Sequence, residues 1–301
     1  MDPAHYLKQQ LKRTCHRYGL LKPGDHVMVA VSGGKDSYTL LVLLDELTRS
    51  LPYEVRLTAV HLDQQQPGYD GKPLQDWLSQ FSVPFEILSE DTFSVVTTHL
   101  KEGSTYCSMC SRLRRGILYS AAERLGCNKI ALGHHREDTL ETFLMNLLYS
   151  GKLQAMPASY TTDDGRFQVI RPLLECAEAD IALFAKERAF PILPCNLCGS
   201  QSGLKRERMS ELLESLGQEI PNVKGIMLAA LGNVMPTHLL DPSLHDAWQA
   251  RPPEVRPSSP AASKERRSAA LPILSRTAGE AGQAPTPRRL PVLGNSQDGS
   301  P

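Results

Sequence analysis

A short β-branched run, His26-Val27-Met28-Val29-Ala30-Val31, ends in Ser32-Gly33-Gly34-Lys35-Asp36-Ser37, and a leucine-rich helical pattern follows at once. This order constrains the fold more than any other feature. An apolar run of this kind suits a strand buried on both faces of a parallel sheet. Tyr38, Leu40, Leu41, Leu43, Leu44 and Leu47 then mark a helix that covers the sheet. Glycines between them let backbone amides approach an anion, and the helix N-terminus adds positive potential. Ser32 and Ser37 can donate to phosphate oxygens, Lys35 can neutralise phosphate charge, and Asp36 can help hold Mg²⁺. The spacing is not that of a Walker A loop.

The same alternation continues along the chain. Strands are expected at Val55–Leu62, Val83–Leu88, Lys129–Gly133 and Phe167–Ile170. Helices are expected at 1–22, 73–81, 110–125, 137–148, 179–188 and 204–216. Strands alternating with helices imply parallel crossover units, hence an α/β, doubly wound parallel sheet of about five strands. Three parts follow: a basic N-terminal helix over 1–23, a catalytic domain over 24–249, and a tail over 250–301. The tail is dominated by Pro, Ser, Ala, Gly and Arg without apolar periodicity, so it is expected to be disordered.

Seven cysteines stand in the chain, and four form two Cys-x-x-Cys pairs, Cys107/Cys110 and Cys195/Cys198. No run of apolar residues is long enough to span a bilayer, and the polar N-terminus lacks the apolar core of a signal peptide. The chain is therefore expected in the cytoplasm, with no membrane partner, where paired thiols are metal ligands or redox groups rather than disulfides. The pairs lie roughly 85 residues apart, too far for a zinc ribbon. A four-cysteine zinc site and an iron–sulfur cluster both fit the thiols. Cys15, Cys127 and Cys176 read as small buried hydrophobes.

Lys/Arg and Asp/Glu are balanced at 33 each, so binding to nucleic acid needs a local basic patch. Arg112, Arg114 and Arg115 follow the first cysteine pair, and Lys205, Arg206 and Arg208 follow the second. Each cluster reads either as a phosphate contact or as a solvated helix face. The basic N-terminal helix is a third candidate.

The glycine loop resembles that of the PP-loop ATP pyrophosphatase superfamily, whose members cleave ATP between the α and β phosphates. A second element, Gly133-His134-His135-Arg136-Glu137-Asp138, opens a helix after a strand and matches the same superfamily. The resemblance implies roles for Gly133 in nucleotide binding and for Asp138 near Mg²⁺–pyrophosphate, beside Lys35 and Asp36 as catalytic residues. One of the two histidines is expected to contact nucleotide and the other to be structural.

The cysteine pairs, with Val60-His61-Leu62-Asp63 and Pro194-Cys195-Asn196-Leu197-Cys198, resemble the tRNA 2-thiocytidine synthetases. That resemblance implies ATP-dependent sulfur transfer to C2 of cytidine 32 in the tRNA anticodon loop through an adenylated intermediate. It also implies a [4Fe–4S] cluster on Cys107, Cys110 and Cys198, with Cys195 as the fallback third ligand, and ATP and Mg²⁺ as further cofactors. A sulfur donor such as a cysteine desulfurase is the implied partner, and a homodimer is compatible with it. Glu137 departs from the family's usual Asp and is left out of the site. The alternatives are a 2-thiouridine synthetase and a zinc-stabilised nucleotide-binding module without sulfur transfer.

Overall fold

The computed structural model describes residues 3–99, 106–193 and 205–251, with side chains for 4–98, 110–193 and 205–251. The chain divides into two compact units, Met1–Val234 and Met235–Pro301. The first begins with α1 (Pro3–Arg17), β1 (His26–Ala30), α2 (Lys35–Thr48) and β2 (Arg56–Asp63). It continues through α3 (Lys72–Leu78), β3 (Phe85–Ser89), α4 (Thr92–His99), α5 (Tyr106–Arg124) and β4 (Lys129–Ala131). Then come α6 (Arg136–Ser150), β5 (Ser159–Thr161), β6 (Gln168–Ile170), α7 (Glu178–Glu187), α8 (Lys205–Glu219) and α9 (Val223–Leu231). In the second unit a 3₁₀ turn (Pro236–His238) precedes α10 (Pro242–Gln249), whose N-cap Asp241 accepts the Leu244 amide at 3.2 Å.

The six-stranded sheet has the order β3-β2-β1-β4-β6-β5. Every pair is parallel except β5–β6, which is antiparallel. The expected five strands are all present; the sixth, β5, is the difference. Ser159-Tyr160-Thr161 is too short to show a period, and it joins the sheet as an edge through a tight return to β6. The chain runs outward from β1 to β2 and β3, then crosses back to lay β4 on the other side of β1. The carboxyl ends of β1 and β4 therefore flank the point where the winding reverses, the position at which open α/β sheets bind ligands.

The periodicity of α2 is matched by its burial: Leu40, Leu41, Leu43, Leu44 and Leu47 all lie in the core. Tyr38 joins them, edge-on to Trp77 and stacked on Phe190 at 5.3 Å, with its hydroxyl donating to the Pro191 carbonyl at 3.0 Å. α1 packs through Leu7, Leu11 and Cys15. It is shorter than the expected 1–22, because the chain turns at Gly19 with φ +58°. Tyr6 on this helix and Tyr18 just after it stay exposed. Part of its positive side is spent inside the fold: Lys8 pairs with Glu46 at 3.2 Å, and Arg17 with Glu175 at 2.9 Å. Cys15, Cys127 and Cys176 are buried, and burial pushes the Cys15 thiol up to about 12 and the Cys127 thiol to about 11. The tail beyond Arg251 lies outside the described residues.

At the amino ends of β1 and β4 the sheet holds a buried ion pair. Lys129 Nζ lies 2.8 Å from Asp25 Oδ2 and donates to the Leu20 carbonyl at 2.7 Å. Asn128 Nδ2 donates to Asp25 Oδ1 at 2.9 Å, while Asn128 Oδ1 accepts the His26 amide. Burial alone would raise the Asp25 pKa; the hydrogen bonds from Lys129, Asn128 and the Lys22 amide outweigh it and lower it. Removing one partner leaves an uncompensated buried charge. Lys129→Met or Asp25→Leu alone should each cost about 3–5 kcal/mol in urea unfolding, and the double variant much less than their sum. Strict additivity would contradict a coupled pair.

Candidate active site at the sheet reversal

The phosphate loop closes on itself before α2 begins. The Ser32 amide donates to Ser37 Oγ at 3.1 Å, and Ser37 Oγ donates to the Gly34 carbonyl at 2.8 Å. Gly34 is extended and caps α2, leaving the amides of the first turn to face an anion. Gly33 has φ +84°, and a Cβ there would stand 2.9 Å from Leu193 Cδ1. The Leu193 amide donates to the Gly33 carbonyl at 2.9 Å, so residues 190–193 are tied to the loop at Gly33 and at Tyr38. Leu193 stands two positions before Cys195 in the sequence.

From the other side, Gly133 leads out of β4 against the same loop. A Cβ on it would meet the Asp36 carbonyl oxygen at 3.1 Å and the Ser37 amide nitrogen at 3.2 Å. A side chain there would need the neighbouring backbone to give by a few tenths of an ångström, so glycine suits this close approach, and the two sequence elements lie against each other.

Between them sits a dense charge cluster. Lys35 Nζ donates to Glu178 Oε1 at 2.9 Å and lies 3.3 Å from Asp36 Oδ1. Burial would lower the Lys35 pKa, but Glu178 and Asp36 outweigh it and raise it, so the ammonium is held charged. His135 Nε2 lies 3.5 Å from Asp138 Oδ2, 3.9 Å from Asp36 Oδ1 and 4.0 Å from Glu178 Oε1. Its Nδ1 is 3.4 Å from Glu137 Oε2 but out of line for a hydrogen bond, an ion contact only. Burial alone would push the imidazole down; the surrounding carboxylates reverse this and raise its pKa. The Asp36 pKa is raised by burial, against the pull of Lys35 and His135, and Asp36 Oδ1 is buried with no hydrogen-bond partner.

Asp138 is engaged differently. Its Oδ2 accepts the His135 amide at 3.0 Å, capping α6, and its Oδ1 accepts from Arg206 Nη1 at 2.9 Å. Arg206 also lies 3.6 Å from Glu141. The second basic cluster is thus largely engaged: Arg208 pairs with Glu211, and Lys205 lies over the Tyr149 ring. Arg112 and Arg115 of the first cluster are exposed. Among the described residues no three acidic, His or Cys side chains converge on one metal position. Cys110 is buried and donates from Sγ to Gln64 Oε1 at 3.2 Å, directly after the carboxyl end of β2. The Cys107 side chain and both Cys195 and Cys198 lie outside the described residues.

Two groups in the cluster escaped the sequence reading. Glu178 lies 143 positions from its partner Lys35, and only its place in a helix's first turn hints at it. Glu137, left out of the site, is buried at its centre. Its Oε2 accepts the Glu178 amide at 2.9 Å, its Oε1 accepts from Arg136 at 2.6 Å, and it thereby joins the start of α6 to the start of α7. Burial would raise its pKa, but His135, Arg136 and the Glu178 amide hold it down at about 2 against an ordinary 4.5. A depressed carboxylate stabilises the fold fully above pH 4.5, and that stabilisation is lost as pH falls towards about 2. It amounts to about 3 kcal/mol. Glu137→Gln should therefore cost about that much stability at about pH 7 and little at about pH 2 in denaturant melts. An equal cost at both would contradict the ionised role.

A PP-loop domain family matches residues 3–192 of the chain. A tRNA-cytidine(32) 2-sulfurtransferase of Anaeromyxobacter dehalogenans (strain 2CP-C) is 51% identical over 249 residues, covering 81% of this chain and 86% of the relative. Its counterpart in Coxiella burnetii (strain Dugway 5J108-111) is 47% identical over 247 residues, covering 82% and 94%. Among solved structures, the U34-tRNA thiolase NcsA from Methanococcus maripaludis with its [4Fe-4S] cluster has the same fold. It superposes with a TM-score of 0.61 at 23% identity, over 77% of this chain and 80% of that one. This chain belongs to the tRNA-cytidine(32) 2-sulfurtransferase family, enzymes that transfer sulfur to tRNA, here on a PP-loop domain that uses ATP.

Proposed function

We propose that the site makes 2-thiocytidine in two stages at one edge of the sheet. First the cytidine C2 oxygen attacks the α phosphate of ATP, and pyrophosphate leaves. Then sulfur replaces the adenylated oxygen at C2, and AMP leaves. The observation that carries this reading is the placement of Cys110. Its sulfur contacts Gln64 just past β2, and β2 lies beside β1, whose carboxyl end bears the phosphate loop. A thiol of the first pair and the nucleotide loop therefore face the same side.

In the first stage the α2 N-terminal amides of Lys35 and Asp36 receive the phosphates, and the charged Lys35 offsets the negative charge that develops. Asp36 Oδ1, buried without a hydrogen bond although the Lys35 ammonium lies 3.3 Å away, suits a divalent cation, and bound Mg²⁺ would supply charge neutralisation on the departing pyrophosphate. Asp138 has both oxygens taken, so Asp36 is the better ligand and Asp138 would join it only on release from Arg206. Cys107, Cys110 and Cys198, with Cys195 as the alternative third thiol, would hold a [4Fe–4S] cluster; thiolates suit it, and when bound it would carry the sulfur. The tie from Leu193 to Gly33 supports bringing the second pair to the loop.

Arg112 and Arg115, exposed on α5 just after Cys110, would hold tRNA phosphates, and the target base must splay out of the anticodon loop to enter. The sulfur comes from a donor such as a cysteine desulfurase, and the enzyme works in the cytoplasm. Among the described residues no helix is long and apolar enough to cross a membrane.

Nucleoside mass spectrometry of tRNA from cells lacking this protein should show no 2-thiocytidine, and the wild-type chain should restore it. Lys35→Ala and Cys110→Ser should each fail to restore it. Purified anaerobically, Lys35→Ala should keep its iron but lose tRNA-dependent pyrophosphate release, while Cys110→Ser should lose the iron. Zinc in place of iron, with tRNA unmodified, would favour the zinc-stabilised nucleotide-binding module.

A further inference from the structure

The first histidine of the second loop makes a contact that fixes its protonation. Arg171, directly after β6, is buried, and its Nε donates to His134 Nδ1 at 3.1 Å. Its Nη1 donates to the Pro157 carbonyl at 2.8 Å, and its guanidinium lies over the Tyr160 ring at 5.3 Å. Contacts to His134 after β4, to Pro157 before β5 and to Tyr160 within β5 hold the guanidinium in place. Arginine has donors only, so His134 Nδ1 must accept and can carry no proton. The proton of the neutral ring then sits on Nε2. Among the described residues that nitrogen has no partner, and it is not among the buried unpartnered atoms, so it reaches solvent one residue on from Gly133, which packs against the phosphate loop.

We infer that Arg171 is a positioning residue that fixes His134 as the neutral Nε2–H tautomer, and that His134 thereby presents a hydrogen-bond donor to an acceptor oxygen of the substrates. The inference rests on the two-stage reading above. The oxygen belongs either to an ATP phosphate or to C2 of the cytidine, and the chemistry is the same. Groups facing the ring agree with a neutral imidazole. Arg171, Arg206 and His135 oppose a further positive charge, Asp138 alone favours one, and burial adds to the opposition, so the His134 pKa falls to about 4. His135, one residue on, has the opposite setting: ringed by carboxylates, it is held towards the cationic form.

Two measurements test this. In ¹⁵N-histidine spectra of the wild-type protein, the His134 signals, assigned by their loss in His134→Gln, should show a protonated Nε2 and a bare Nδ1. Arg171→Met should convert them to a tautomer mixture. A protonated Nδ1 in the wild type overturns the inference whether or not any variant folds, and whether or not the protein thiolates tRNA. In thiolation assays, His134→Gln, whose amide nitrogen takes the place of Nε2, should keep activity within roughly tenfold of wild type. His134→Asn, whose amide takes the place of Nδ1, should lose about 100-fold, as for removal of one catalytic donor. If ATP binding without tRNA weakens in step, the oxygen is a phosphate; if only turnover with tRNA falls, it is the base. Equal activity of the Asn and Gln variants in an otherwise active enzyme overturns the donor role.

Discussion

The close passage of Gly133 against the Asp36 backbone is the constraint on which the site depends. With 3.1 Å between a notional Cβ and the Asp36 carbonyl oxygen, a side chain at 133 would press on the neighbouring loop by a few tenths of an ångström. The sheet imposes this meeting, because β1 and β4 are neighbours in parallel register, Val27 to Val29 against Lys129 to Ala131. Their carboxyl ends must open side by side, and what they carry must share one space. The ion pair of Asp25 and Lys129 clamps the same two strands at the opposite end. Both ends of this strand pair are thus specified, one by charge and one by the absence of a side chain.

Around that meeting the charges are arranged to be satisfied in pairs but not completely. Lys35 bridges Asp36 and Glu178, and Glu137 ties α6 to α7 through the Glu178 amide. Asp36 Oδ1 is buried without a hydrogen bond and is held only by the ion contact from Lys35 at 3.3 Å. In the proposed reading the phosphates of ATP would bring the opposite need, met by the α2 amides and Lys35.

Much of this was legible in the residues. The β1–loop–α2 unit announced itself because Val27 to Val31 and Leu40 to Leu47 have clean periods and the glycines stand between them. The GHHRED element was legible for the same reason, as a strand end opening a helix. Other parts were not. α4, Thr92–His99, is rich in β-branched residues that weaken a helical reading, and α9 has no polar face to set a period. Glu137 looked like a solvated first-turn acid, yet the fold closes α7 over it. Glu178 and Arg171 gain their roles only from partners 143 and 37 positions away, a relation that local pattern does not contain.

The central claim is that nucleotide and sulfur chemistry face a single base at one sheet edge. An anaerobic crystal structure of the iron-reconstituted protein with a non-hydrolysable ATP analogue tests it most directly. The account predicts phosphates on the N-terminal amides of α2, at Lys35 and Asp36, and iron bound by Cys110, both opening to one cleft on the carboxyl side of β1, β2 and β4. Phosphates seated elsewhere, or iron held without Cys110, would contradict it.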